Sequence, residues 1–116
     1  NNLGVLGRDV SGVGSSREGL TATEFGGDQG IFAYGSSHVS NIINNQGVAQ
    51  SDVSGTGTSR SLPGSAVFGG DQGIIAYGQG PINVRNLINN VGTIAADATG
   101  AGTARSNLTG AGFGFS

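Results

Sequence analysis

Three aspartates, Asp9, Asp52 and Asp97, are each followed eight positions later by an arginine: Arg17, Arg60 and Arg105. A carboxylate and a guanidinium at one fixed spacing have two uses. They can fasten the Gly-rich link between them as an ion pair, or they can offer a ligand the same charged site in triplicate. The Asp can also accept backbone N–H bonds from the turn that follows it. The expectation is structural: each pair closes its own link.

The other reactive groups are sparse. Asp28 and Asp71 sit in two "GGDQG" segments and read as turn-stabilising residues. A calcium site needs six to eight oxygens, and the alternating acids of a calcium loop are missing. His38 is the only histidine, and nothing at a useful spacing nominates a partner for proton transfer. "GTGTSR" and "GAGTAR" are glycine-rich like phosphate loops, but no "GK[ST]" follows and no strand-to-helix transition is signalled. Cysteine is absent, which removes thiolate metal sites and disulfides. The chain is therefore read as no enzyme, with no cofactor and no metal. A candidate ligand site remains where "SSHVSN" is matched by the longer "QGPINVRN", since loops that differ are where specificity tends to live. Its residues are Ser36, Ser37, His38, Gln79, Asn83 and Arg85. Tyr34 and Tyr77 have the ring to stack on a sugar, but their place inside apolar runs favours packing.

These residues recur because the chain repeats. "FGGDQGIFAYG" (Phe25 to Gly35) returns as "FGGDQGIIAYG" (Phe68 to Gly78) with one change, 43 positions on. "NNLGVLGRDVSGVGSSR", "NNQGVAQSDVSGTGTSR" and "NNVGTIAADATGAGTAR" open at Asn1, Asn44 and Asn89. The units are approximately 1–43, 44–88 and a partial 89–116, within one repeat domain spanning 1–116. A period of about 43 to 45 residues is that of four-stranded propeller blades.

Within a unit the elements are short. "GIFAYG" and "GIIAYG" are apolar runs bounded by glycine, too short for helices. Ile31 and Ala33 point to one face of a strand, Phe32 and Tyr34 to the other. With both faces apolar, the strand is expected to be covered on both sides. "SREGLTATEF" and "SRSLPGSAVF" read as preceding strands, with Pro63 at an edge, a strand start or a bulge. "GGDQG" supplies the turn, its adjacent glycines taking the positive φ of a tight hairpin. "HVSNII" and "NVRNLI" read as third strands, and "GVLGRDV", "GVAQSDV" and "GTIAADA" as fourth strands. The fold class is all-β: tandem four-stranded antiparallel repeats, β-propeller-like, with a β-solenoid or a sandwich as alternatives. About ten strands fall short of a four-bladed ring, so a larger propeller or a multimer is expected.

Composition narrows the partners. Of 116 residues 24 are Gly, with five Arg, no Lys, seven acids and a net charge of −2. No basic face for nucleic acid can be built from that. No apolar run approaches the length of a membrane span. The expected partners are other copies of the chain or neighbouring structural proteins.

The unit "GTSRSLPGSAVFGGDQGIIAYGQG…NVRNLINNVGTIAAD" resembles the Gly-rich, kelch-like repeats of phage virion proteins. The small-residue strand after Arg60, the "FGGD" turn, the "GIIAYG" strand and "NLINN" leading to Asp97 carry the resemblance, although the chain has no Trp. It implies a structural virion component at the particle surface, in a tail fibre, tail tip or head appendage. It also implies assembly with itself or neighbouring virion proteins, and contact with a host-surface glycan. The alternative function is a lectin-like propeller module with one shallow sugar pocket per repeat.

Overall fold

The computed structural model describes residues 3–4 and 14–112. Eight strands form in order: β1 (Leu20–Phe25), β2 (Gln29–Tyr34), β3 (Val39–Ile43), β4 (Val53–Ser54), β5 (Gly64–Phe68), β6 (Gln72–Ala76), β7 (Val84–Ile88) and β8 (Ala98–Thr99). No helix is formed among the described residues. Two four-stranded antiparallel sheets result, β1-β2-β3-β4 and β5-β6-β7-β8. Their registers correspond: Phe25 pairs with Gln29 and Ala22 with Phe32, as Phe68 pairs with Gln72 and Ser65 with Ile75. The described strands close neither a barrel nor a ring.

The β1–β2 and β5–β6 turns form at Gly26-Gly27-Asp28 and Gly69-Gly70-Asp71. Both glycines of each take positive φ, 63° and 86° in the first and 64° and 87° in the second. A side chain is strained there, so the glycine pairs are required by the turn. Pro63 stands immediately before β5, a strand start that needs no donor from it.

The sheets stack through unlike faces. Alternation along paired strands puts Thr21, Thr23, Phe25, Ile31, Ala33 and Ile42 on one face of sheet 1. That face meets the side of sheet 2 bearing Ser65, Gly73, Ile75 and Ile88. The Thr21 hydroxyl donates to Ser65 Oγ at 2.8 Å, and the Ser65 hydroxyl donates to the Ala22 carbonyl at 2.6 Å. Phe25, Ile31, Ala33, Tyr34, Ile75, Ile88 and Ile94 form the buried cluster, with Ile42 against it. Gly92 is needed for this contact, since a Cβ there would meet the Phe25 ring at 2.8 Å.

Two expectations are corrected. The second strand is not covered on both sides in both copies: Phe32 is 41% exposed, because among the described residues no sheet lies on that face of sheet 1. The fourth strands shrink to two residues each, since the segments before β4 and β8 form only isolated bridges, Ile43 with Ala49 and Ile88 with Ile94. The fourth strand expected from "GVLGRDV" lies outside the described residues.

Candidate functional site

The repeated charges build a clasp. In "VSNII" and "VRNLI" an Asn stands at the centre of the strand, and its amide bridges the charged groups. The Asn41 amide donates to Asp52 Oδ1 at 2.9 Å and to the Gln50 carbonyl at 3.2 Å, while its Oδ1 accepts from Arg17 at 2.6 Å. In sheet 2 the Asn86 amide donates to Asp97 Oδ1 at 2.9 Å and to the Ala95 carbonyl at 3.1 Å. Its Oδ1 accepts from Arg60 at 2.7 Å. Each carboxylate also takes both donors of one link residue. Ser15 gives its N–H at 3.1 Å and its hydroxyl at 2.6 Å to Asp52, and Thr58 does the same to Asp97 at 3.0 and 2.6 Å.

The glycine before each of these donors shapes the approach. Gly14 and Gly57 have φ of 90° and 93°, and a Cβ on either would collide with the carboxylate and the Asn amide. The next link then returns over the sheet. The Arg60 guanidinium lies 4.2 Å above the Tyr34 ring, and Arg105 lies 4.1 Å above Tyr77. The Tyr34 hydroxyl donates to the Thr56 carbonyl at 3.2 Å, and the Tyr77 hydroxyl to the Ala101 carbonyl at 2.6 Å. Both tyrosines hold positive φ, 68° and 65°, an uncommon state for a bulky residue, maintained by contacts to ring, hydroxyl and backbone.

The electrostatics follow this geometry. The Ser15 hydroxyl, the Asn41 amide and the Ser15 N–H hold the Asp52 carboxyl below its usual value against some desolvation, with a smaller pull from Arg17. For Asp97 desolvation pushes upward, yet the Thr58 hydroxyl, the Asn86 amide, the Thr58 N–H and the Arg60 charge outweigh it, so its pKa is also lowered. Burial raises the Tyr34 phenol, partly offset by Arg60.

The predicted pairing needs correction. Arg17 forms its ion pair with Asp52 at 3.8 Å, in the following copy of the motif. Arg60 likewise joins Asn86 beside Asp97, and no ion pair links Asp52 to Arg60 among the described residues. Asp9 lies outside the described residues. The spacing of eight therefore reflects two clasps meeting at one link. Arg105 rests on Tyr77 and donates to the Thr103 carbonyl at 3.5 Å, with no Asn or Asp partner among the described residues.

The loop residues do not converge. The Ser37 hydroxyl donates to the Tyr34 carbonyl at 3.4 Å and accepts from the Val39 N–H at 3.2 Å, which makes it a turn residue. Ser36 and His38 are exposed, and the His38 carbonyl sits close against Gly55. Gln79 accepts from the Ser61 hydroxyl at 2.9 Å. Asn83 donates to the Gly102 carbonyl at 3.0 Å and Arg85 to the Thr99 carbonyl at 3.4 Å, so Asn83 ties down the link after β8 and Arg85 the end of β8 itself. Ser37 and Gln79 flank the Arg60–Ser61 segment, while Asn83 and Arg85 belong to another place.

Asp28 and Asp71 accept from Asn45 and Asn90 at 3.0 and 3.3 Å, joining the first hairpin turn of each sheet to its last. Among the described residues no three His, Cys, Asp or Glu gather as a metal site, and no helix is long and apolar enough to cross a membrane. No protein-family model and no curated protein matches the sequence.

Proposed function

We propose that the chain is a structural component of a phage particle, exposed in a tail fibre, tail tip or head appendage, and that its sheets are blades of a propeller-like array. The clasp is the observation that carries this reading. Arg60, Asn86, Asp97 and Tyr34 are spent on holding one sheet and link to the next. Little reactive chemistry is left over, as suits a rigid scaffold. The blade reading is supported by the common strand order and by the small residues of β1, β5 and 107–112, which lie side by side: Ser65 contacts Ala22, and Gly110 packs against the Ser65 carbonyl. The particle itself comes from the resemblance to Gly-rich, kelch-like virion repeats.

The lectin alternative gains nothing from the geometry, because the groove beside Ala22, Glu24 and Phe32 and the hollow beside Ile74, Ala76 and Arg85 occupy non-equivalent places in the two repeats. Peptide mass spectrometry of density-purified particles tests the proposal. Peptides of this sequence sedimenting with intact capsids support it. Recovery only in particle-free fractions contradicts it.

A further inference from the structure

The chain passes from sheet 1 to sheet 2 through residues 55–63, and this link is held in two different ways. Its second half is fixed by backbone. The Arg60 carbonyl accepts from the Gly35 and Ser36 N–H groups at 3.1 Å, and the Ser61 carbonyl accepts from the Gln79 N–H at 2.8 Å. The Leu62 N–H donates to the Gly19 carbonyl at 2.6 Å. From Thr56 to Ser59, by contrast, no backbone group pairs with another among the described residues. Side chains hold that stretch instead. The Tyr34 hydroxyl takes the Thr56 carbonyl, the Arg60 guanidinium takes the Thr58 carbonyl at 3.2 Å, and the Asp97 carboxylate takes the N–H and hydroxyl of Thr58.

The Asp97 carboxylate is surrounded by donors. Its Oδ1 accepts from the Asn86 amide at 2.9 Å, and its Oδ2 accepts from the Thr58 N–H at 3.0 Å and hydroxyl at 2.6 Å. The titratable groups that face it among the described residues are Arg60 of the link and, from β2, the Tyr34 phenol; β7 brings the neutral Asn86. An ionised carboxylate only accepts, whereas a protonated one also presents an O–H. Of the partners of Asp97, only the Thr58 hydroxyl can accept from that O–H. It must turn round and give up its own bond to do so, and the attraction to Arg60 goes with the charge.

We infer that the first half of the link is an acid-released strap: when Asp97 takes up a proton, residues 56–59 lift away from sheet 2 while the two sheets and the Arg60–Leu62 seam stay in place. What stays carries no group that titrates in acid. The buried cluster between the sheets is apolar apart from the Tyr34 hydroxyl, and the Thr21–Ser65–Ala22 bonds use two hydroxyls and a carbonyl. The seam is backbone to backbone. Because its donors hold the Asp97 carboxyl below the usual value, release falls below about pH 4. Asp52 takes the N–H and hydroxyl of Ser15 and the Asn41 amide in the same way, so the link that ends at Arg17 is a second strap of the same design. The inference rests on the clasp geometry and stands apart from the virion reading, so the two fail separately.

Amide hydrogen exchange on the full chain, resolved by residue with NMR and corrected for the intrinsic effect of pH, tests the inference. Between about pH 6 and about pH 2 the Thr58 amide is expected to lose on the order of tenfold or more of its protection. The amides of Gly35, Leu62 and the β2 and β6 ladders are expected to keep theirs. In Asp97→Asn, which is neutral and of the same shape, the Thr58 amide is expected to be unprotected already at about pH 6 and indifferent to further acid. Undiminished Thr58 protection in acid overturns the inference, as does loss of the Thr58 and ladder amides together. Full Thr58 protection in Asp97→Asn overturns it as well. Asp52→Asn and the Ser15 amide serve for the same comparison, should circular dichroism show the first variant unfolded.

Discussion

Phe25 and Phe68 end the same strand in two copies of one motif, yet Phe25 is 1% exposed and Phe68 37%. One residue into the next apolar run the order reverses: Ile75 of sheet 2 is fully buried and its counterpart Phe32 of sheet 1 is 41% exposed. Strand, register and neighbours within the sheet are alike. What differs is which side the other sheet occupies. Burial in this molecule is set by stacking between sheets, and a motif repeated almost letter for letter cannot announce which of its faces is covered.

The largest effect that would sharpen the comparison is at the buried member of the second pair. Ile75→Ala is expected to cost about 2–5 kcal/mol, the range for truncating a core aliphatic residue. Phe32→Ala is expected to cost about 1 kcal/mol or less in urea unfolding, near the ordinary range for surface changes. Comparable losses would mean that the stacked face is not what stabilises sheet 2.

Next come the link glycines. Gly57→Ala is expected to cost about 2–3 kcal/mol, combining backbone strain at positive φ with a collision against the Asp97 carboxylate. Gly70→Ala carries a similar φ but meets nothing within 4 Å, and should cost about 1 kcal/mol. A smaller difference, about 1 kcal/mol in thermal or urea unfolding, is expected for Tyr77→Phe, which removes the hydroxyl bond to the Ala101 carbonyl.

Acid should loosen both clasps. The carboxyls of Asp52 and Asp97 titrate below their ordinary value when folded. Their contribution is therefore complete above the unfolded pKa of about 4 and is lost as pH falls through the lower folded values. Asp97→Asn is expected to lower stability at neutral pH and to flatten its decline below about pH 4, measured by urea unfolding across pH. An unchanged decline would show that the carboxylate is not held by its donors.

The hairpins and the third strands were legible because glycine pairs, alternation and short apolar runs are local signals. The "GGDQG" turns, β3 and β7 formed where the residues put them. The clasp was half legible. The charges stood out, but the shortest spacing suggested the wrong partner, since Arg17 reaches forward to Asp52 across a whole sheet. Asn41 and Asn86 were overlooked, although an amide at the middle of a strand, beside Ile42 or Leu87, is itself a signal that its hydrogen bonds go somewhere. The fourth strands were overestimated because in "AQSD" and "AADA" the Gln50 and Ala95 carbonyls and the Asp52 and Asp97 carboxylates are taken by the Asn41 and Asn86 side chains instead of extending the ladder. The exposure of Phe32 follows from an arrangement between sheets that no local pattern encodes.

The central claim is that equivalent residues differ only because one has a sheet beside it. Paired substitutions Phe25→Ala and Phe68→Ala test it by urea unfolding. The account predicts a loss of about 3–5 kcal/mol for Phe25 and well under half of that for Phe68. Equal losses at the two positions would contradict it.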